Sequence, residues 1–308
     1  MFLVKGKKYN AQVRCHSCDS DKSKYIACIG GHDYFICVVC GLIFSDNLSE
    51  ESFDAMYKHK NETEQELIER FQSKLIVSSK RARYLFGHVT ANLNLKVLDV
   101  GCGEGSFLFA LKEYGIDAYG VESNMIQARY GIAKHQLNIL NSYYDKASFE
   151  RSTFDVITFN RVLEHIPDVH KTLETARYHL KDGGFLFIDV PTYWNKNKVF
   201  MKNQWGGGHL RLYDINSLKY LLVERHSFEL IHAIPFVDFY GNYKPGCACL
   251  VKNKTVRKDS DRLVKKISPF KAFRIKLSIF LGNPVLRVKK ILIKLLPQHI
   301  IERLKKLR

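Results

Sequence analysis

Apolar residues along this chain recur with two different periods, and the change of period marks out the elements. Between residues 96 and 190, short apolar runs alternate with longer stretches of helical spacing. Val97–Val100 reads as a strand, and Phe107–Tyr114 as a helix closed by Gly115. Ala118–Val121 is a second strand, followed by a helix over Ser123–Ala133 that Ser123 can cap. Asn138–Leu140 and Phe154–Phe159 are the third and fourth strands. Phe185–Val190 is the fifth, after an Asp182-Gly183-Gly184 turn and before Pro191. Phe228–Ile234 and Cys247–Val251 close the sheet as an antiparallel pair, and a helix over Ile215–Glu224 precedes them. Strand and helix in turn with short links imply right-handed crossovers. The expected fold is α/β, a doubly wound, mainly parallel sheet of seven strands.

The flanks read differently. Lys24–Ala27 and Asp33–Ile36 are strand-like around Gly30-Gly31. A polar helical stretch begins at Glu50–Tyr57. It continues over Glu62–His88, where Leu67, Ile68, Phe71, Leu75, Ile76, Leu85 and Phe86 keep helical spacing. The organisation expected is a small ribbon over 1–48, linker and cleft-capping helices over 49–94, the main α/β domain over 95–254 and a helical tail over 255–308.

Charge changes the picture in one place only. The chain carries a formal +17 over 308 residues, but residues 257–308 hold 16 Lys/Arg against 3 Asp/Glu. The remainder is electrically ordinary, so the basicity belongs to an appendage. In that tail, apolar residues from Ile267 to Leu281 interleave with lysine and arginine. Gly282-Asn283 breaks the run, and Pro284 and Pro297 open further mixed stretches. Basic amphipathic helices of this kind suit an anionic membrane surface. A helical hairpin packed on the main domain or on a dimer partner, and nucleic-acid binding, are the other readings. No apolar leader follows Met1 and no uncharged apolar run reaches about 18 residues, so neither a secretory signal nor a membrane span is expected. A cytoplasmic protein is expected, with a tail able to hold it at the inner membrane face.

Eight cysteines in such a chain are expected as thiols, and four of them stand in metal-ligand spacing. Cys15-His16-Ser17-Cys18 and Cys37-Val38-Val39-Cys40 are two Cys-x-x-Cys knuckles. Each offers two thiolates from one turn, the donor set of a tetrahedral, structural zinc site. Cys15, Cys18, Cys37 and Cys40 are the expected ligands; Cys28 and His16 are not. Two redox pairs are the alternative. Cys247 and Cys249 share one strand face and are expected as buried thiols.

The chemistry concentrates where the first strand ends, in Asp99-Val100-Gly101-Cys102-Gly103-Glu104-Gly105. Glycines at every second position let a ligand approach the backbone, and the next helix offers free N–H groups. The spacing is not that of a dinucleotide turn, and Glu104 would repel a pyrophosphate. A cationic ligand such as S-adenosylmethionine suits it better. Glu122 ends the second strand, where an acidic side chain can accept both ribose hydroxyls. Asp99, Gly101, Glu122, Ser142 and Asn160 all fall at carboxyl ends of strands, the ligand edge of such a sheet.

In Leu98–Gly105, Gly120-Val121-Glu122, Phe154–Ile157, Leu163-Glu164-His165-Ile166 and Gly183-Gly184, the stretch 96–190 resembles the class I S-adenosylmethionine-dependent methyltransferases and their seven-stranded Rossmann-like sheet. The Glu-His-Ile-Pro piece is similar to branches acting on small molecules, among them ubiquinone-pathway and sugar methyltransferases. The cysteine knuckles ahead of the domain resemble bacterial deoxysugar C-methyltransferases and their surface-polysaccharide relatives. The resemblance implies that Gly101 and Gly103 pass under the methionine part of S-adenosylmethionine. Asp99 would orient the loop or accept from the amino group, or simply stabilise the turn. Glu122 would hold the ribose, Tyr143 and Tyr144 would flank the adenine, and Asn160 would bring its carbonyl near the amino group or sulfonium. Ser142-Tyr143 stands where the family often has Gly-Asp, so the acidic adenine contact falls to Asp145 or to the backbone.

Methyl transfer to a high-pKa oxygen or to carbon also needs a base. His165, at the cleft edge, and His209, in Gly206-Gly207-Gly208-His209-Leu210-Arg211-Leu212-Tyr213, are the candidates. Each could instead only hold its own loop. Arg211 and Tyr213 offer an anion partner and a donor for the acceptor. The expected function is S-adenosylmethionine-dependent O- or C-methylation of a small-molecule or glycan acceptor, a sugar nucleotide or lipid-linked polysaccharide precursor. An RNA methyltransferase, gripping phosphates with ribbon and tail, is the alternative. A cofactor-binding scaffold without turnover is another.

Overall fold

A computed structural model of the chain describes residues 13–29, 32–45, 62–89, 94–193, 208–237, 239 and 246–254. The helical stretch expected from residue 50 to 57, the glycines at 206 and 207 and the basic tail lie outside these residues. Among the described residues no helix is long and apolar enough to cross a membrane.

The main sheet is built from β4 (Lys96–Val100), β5 (Asp117–Glu122), β6 (Asn138–Asn141), β7 (Phe154–Asn160), β8 (Leu180–Pro191), β10 (Glu229–Val237) and β11 (Gly246–Lys252). Its order is β10-β11-β8-β7-β4-β5-β6. β4 pairs in parallel with β5 and β7, β5 with β6 and β7 with β8, while β11 runs antiparallel between β8 and β10. This is the expected seven-stranded, mainly parallel α/β sheet with its closing antiparallel pair.

Alternation along the strands explains why both faces are covered. On β8, Leu186, Ile188 and Val190 enter one apolar layer, and Phe187 enters the other. On β11, Cys247, Cys249 and Val251 share the first layer, and Ala248 and Leu250 the second. Both cysteines are buried thiols. The central strands are mainly apolar because the middle of a parallel sheet is buried on both faces, whereas the edge strand β6 is largely exposed.

Helix α1 (Glu64–Val89) supplies Val77, Ala82, Leu85 and Val89 to the second layer, together with Phe107 and Leu111 of α2 (Ser106–Glu113). Its buried stripe differs from the expected one. Ile76 is 69% exposed, and Ser78 and Arg81 take core positions instead. Arg81 is tolerated there because its guanidinium pairs with the buried Asp189, Nε lying 3.1 Å from Oδ2. Helix α3 (Met125–His135) is capped by Asn124, not Ser123. The Asn124 Oδ1 accepts from the amides of Ile126 and Gln127 at 3.0 and 3.1 Å. Asp168 caps α4 (Val169–His179), and Asp214 with Ser217 forms a capping box on α5 (Ile215–Lys219), which continues as a π turn over Tyr220–Arg225. The expected Gly183-Gly184 turn is an irregularity inside β8, where Val156 pairs with Phe185 after a register shift.

A second sheet joins β1 (Ser23–Ile29), β2 (His32–Cys37), β3 (Ile43–Ser45) and the two-residue β9 (Arg211–Leu212) in that order. β9 was not visible as a strand in the sequence. Phe35, Leu42 and Phe44 of the cysteine ribbon enter the same apolar layer as Leu98, Phe159 and α4.

At the β4–α2 turn, Gly101, Gly103 and Gly105 all have positive φ. A larger residue at Gly101 would force its neighbours to move, because a Cβ there would stand 2.6 Å from Val162 Cγ2. Gly131 of α3 likewise lets the helix rest on the turn, since a Cβ would reach 2.8 Å from the Glu104 carbonyl oxygen. Gly101→Ala, at φ +68° and against Val162, is expected to destabilise the fold by roughly 2–4 kcal/mol in urea unfolding. Unchanged stability would mean that the Val162 loop yields freely.

Candidate active site

The cofactor edge is assembled from strand ends. Glu122 leaves β5 with its carboxylate tied down: Oε2 accepts from the Gly103 amide at 2.8 Å and Oε1 from the Asn124 amide at 2.7 Å. Burial raises its carboxyl above the ordinary value, and these two amides pull it back. Two lone-pair positions remain on the carboxylate for a ligand's hydroxyls.

Asp99 lies beneath the turn. Its Oδ1 accepts from Thr158 Oγ1 at 2.6 Å and from Asn160 Nδ2 at 2.8 Å. Burial pushes its carboxyl up to about 6 against these bonds. The side chain thus braces the ends of β4 and β7 against each other. Asn160 Oδ1 is buried without a hydrogen-bond partner. Glu104 is fully buried, with Oε2 3.0 Å from Lys74 Nζ on α1 and Oε1 unpartnered. Two buried acceptor atoms without donors, beside a glycine cradle, fit a ligand bringing positive charge and N–H groups. The methionine end of S-adenosylmethionine is such a ligand.

Ser142 follows β6. Its amide donates to the Glu122 carbonyl at 3.1 Å and its hydroxyl to the Tyr143 carbonyl at 3.0 Å. Tyr143 is partly exposed beside Glu122's strand end, with Lys146 Nζ 5.3 Å from its ring centroid. Tyr144 is turned the other way. It is buried in the core, with its hydroxyl 3.0 Å from His179 Nδ1, and is withdrawn from the adenine side. Asp145 pairs loosely with Lys171 at 3.8 Å.

Next to this edge, the loop after β7 carries the candidate bases. Val162 packs on Gly101, so the loop rides on the cofactor turn. His165 Nδ1 lies 2.9 Å from the Gly208 carbonyl, which makes that nitrogen the donor. The rings of His165 and His209 are 4.8 Å apart. Beside them stands Glu164. It is 1% exposed, and neither carboxylate oxygen has a hydrogen-bond partner. Oε1 lies 3.8 Å from His165 Nε2, and ligand atoms of Glu164, His165 and His209 all fall within 4.8 Å of one another. Burial raises the Glu164 carboxyl to about 7, while His209 and Arg161 oppose the rise. Such a cluster can exchange protons or take a divalent cation. The only hint in the sequence was a carboxylate directly before His165.

Two expectations about the acceptor fail on burial. Arg211 is 2% exposed and spends its guanidinium on the carbonyl oxygens of Ile166 and Pro167, the latter at 2.6 Å. It clamps the His165 loop and is closed to an acceptor anion. Tyr213 is fully buried, with a hydroxyl lacking any hydrogen-bond partner and a pKa raised by that burial. Both point inward because β9 has joined the ribbon sheet.

The four knuckle cysteines converge. Their Sγ atoms lie within 4.8 Å of one another, with Cys15–Cys40 at 3.5 Å and Cys18–Cys37 at 3.4 Å. A tetrahedral zinc with Zn–S bonds of about 2.3 Å sets its sulfurs about 3.8 Å apart. The amides of Ser17 and Val39 point at the Cys15 and Cys37 sulfurs at 3.5 and 3.4 Å, as in a metal knuckle. The cluster therefore fits a tetrahedral divalent ion.

Fold and site together are those of a class I methyltransferase domain: a seven-stranded sheet with one antiparallel strand, a glycine turn after its first parallel strand and a carboxylate ending the next. The methyltransferase domain family matches residues 65–233, and the chain belongs to it. A ubiquinone biosynthesis O-methyltransferase of Glaesserella parasuis is 27% identical over 125 residues, 37% of this chain and 53% of that protein. Its counterpart in Coxiella burnetii is 32% identical over 120 residues, 37% of this chain and 51% of its own length. The chain thus spans about half the length of the curated relatives it matches. A solved S-adenosylmethionine-dependent methyltransferase from Archaeoglobus fulgidus superposes with a TM-score of 0.47 at 18% identity, covering 60% of this chain and 96% of that one.

Because burial raises the Glu164 carboxyl from 4.5 to about 7, the folded state holds that proton more tightly than the unfolded chain. Its stabilising contribution is present below about pH 4.5 and is lost as pH rises through about 7. Glu164→Gln, which cannot ionise, is therefore expected to gain stability relative to the parent chain between pH 5 and 8, by on the order of 1–3 kcal/mol in thermal or urea unfolding. A difference that stays flat with pH would show that Glu164 does not titrate in this window.

Proposed function

We propose that this chain transfers a methyl group from S-adenosylmethionine to an oxygen of a small-molecule acceptor, with His209 as the base. The observation that carries this reading is the unpartnered, buried Glu164 carboxylate beside His165 and His209, on a loop packed against the cofactor turn. When bound, S-adenosylmethionine supplies a methyl group already activated on its sulfonium. What remains for the protein is alignment and removal of one proton.

The glycine turn and Glu122 would hold the methionine and ribose parts, and Glu104 and Asn160 would accept from the amino end. Ser142 and Tyr143 border the adenine side. His165 donates from Nδ1 to the Gly208 carbonyl and turns Nε2 towards Glu164 Oε1 at 3.8 Å, so both its nitrogens face the protein and proton removal is assigned to His209. The Glu164 carboxylate stabilises the imidazolium that results, as a buried acid does for a catalytic histidine. The Glaesserella and Coxiella relatives are named for O-methylation in ubiquinone biosynthesis, which supports oxygen as the acceptor atom. The knuckle resemblance supports a sugar nucleotide or glycan precursor as the acceptor class, and Cys15, Cys18, Cys37 and Cys40 would hold a structural zinc.

His209→Ala is expected to lower turnover about 100-fold while leaving S-adenosylhomocysteine affinity within about twofold, measured by calorimetry. Glu122→Ala should do the reverse first, weakening that affinity at least about 10-fold. The acceptor is tested by incubating the chain with S-adenosylmethionine and panels of sugar nucleotides and of polyprenylated phenols, reading methylated product by mass spectrometry. Absence of S-adenosylhomocysteine binding would sink the cofactor assignment. Full turnover in His209→Ala would remove the base.

A further inference from the structure

The two-residue strand β9 and the residues before it are held from both sides. On the ribbon side, Ile43 pairs with Leu212 and Phe44 with Arg211. The Ser45 amide donates to the Leu210 carbonyl at 3.0 Å, and the Tyr34 hydroxyl donates to the His209 carbonyl at 3.3 Å. On the cleft side, the Leu210 and Arg211 amides donate to the Glu164 carbonyl at 2.9 and 3.3 Å, and His165 donates to Gly208. His209 therefore sits on a segment whose backbone is stitched to the cysteine ribbon on one edge and to the Glu164 loop on the other.

A strand of two residues has no stability of its own, so it takes the position of its neighbours. The neighbour on one side is the ribbon, whose Phe35, Leu42 and Phe44 are seated in the main apolar layer while its turns are set by the cysteine knuckles. Its second knuckle, Cys37–Cys40, lies between β2 and β3, and Gly41 behind it accepts the Tyr193 hydroxyl at 3.1 Å. A four-thiolate centre fixes that knuckle, the knuckle fixes β3, and β3 with Tyr34 fixes the backbone of His209. The cofactor turn is anchored apart from the ribbon by Lys74, Gln127, Leu137 and Glu122, and it meets the Glu164 loop at Val162.

We propose that the four-cysteine centre positions the His209 imidazole against Glu164 through β3 and Tyr34, so that the centre governs the transfer step and leaves the cofactor site intact. Tyr34 is the positioning residue of this linkage. The inference rests on reading His209 as the base, and the test separates the two.

Two variants of the full chain serve. Tyr34→Phe keeps the ring packed beside Ile43, Leu212 and Tyr193 and removes the hydroxyl donor to the His209 carbonyl. Cys18→Ser removes one thiolate, the partly exposed one. Zinc content is measured by colorimetric release, S-adenosylhomocysteine affinity by calorimetry, and the His209 ring by NMR titration assigned with His209→Gln. The expected result is zinc retained in Tyr34→Phe and lost in Cys18→Ser. Cofactor-product affinity should stay within about twofold in both. Turnover should fall about 10- to 100-fold, with an altered pH–rate profile and shifted His209 resonances. Turnover and His209 resonances unchanged in both variants would overturn the proposal. So would S-adenosylhomocysteine affinity that falls in step with turnover, because the ribbon would then only support the fold. If the parent chain binds S-adenosylhomocysteine but His209→Gln turns over normally, the base assignment fails. The NMR response to Cys18→Ser still decides the linkage.

Discussion

One carboxylate holds the cofactor edge together. Glu122 ends β5 and accepts two backbone amides, that of Gly103 in the turn out of β4 and that of Asn124 at the start of α3. Charge-assisted bonds of this kind contribute about 1.5–3 kcal/mol each, and they offset the burial that raises the group's pKa. Through them the glycine turn, the second strand and the third helix share one geometry. Remove that anchor and the turn from Gly101 to Gly105, left-handed at its three glycines, keeps only its backbone bonds to Val121 and within itself. The loop carrying Val162 to His165 would then lose its seat.

Much of this was legible in the sequence, because it follows from local rules. Alternation of apolar runs with helical stretches placed the strands, and glycines at every second position placed the turn. An acid at the end of the next strand placed Glu122. What escaped the reading depends on contacts between distant segments. Nothing local marks Arg211-Leu212 as a strand; it becomes one only because Ile43-Phe44 offers an edge. Arg211 looked like an anion partner because charged side chains are usually solvated, yet it is buried on two carbonyls. Arg81 was hidden for the same reason, since its core position makes sense only once Asp189 is opposite. Ser123 and Asn124 are both good caps, and the choice between them is made by Glu122 drawing in the Asn124 amide.

Buried charge recurs on the acceptor side and is handled differently there. Arg211 has neutral carbonyls as direct partners, and its Nε lacks any partner. Cys15 is among the nearby groups that favour its charged form. A divalent ion held by four thiolates carries net negative charge, which would answer the guanidinium across the apolar layer. Glu164 is the opposite case, a carboxylate kept close to neutrality by burial and exposed to two imidazoles. The site thus sets a buried acid beside two imidazoles, the kind of grouping in which acid–base chemistry is found.

The pairing of β3 with β9 also bears on how such a protein can vary. Tyr34 and His209 stand 175 positions apart in the chain, yet one carbonyl and one hydroxyl make them a single mechanical part. An exchange of segments that brings in a different ribbon, or a different glycine loop, replaces half of that part and strands the other half. The cofactor sheet could be inherited by itself; the ribbon and the loop can only be inherited together.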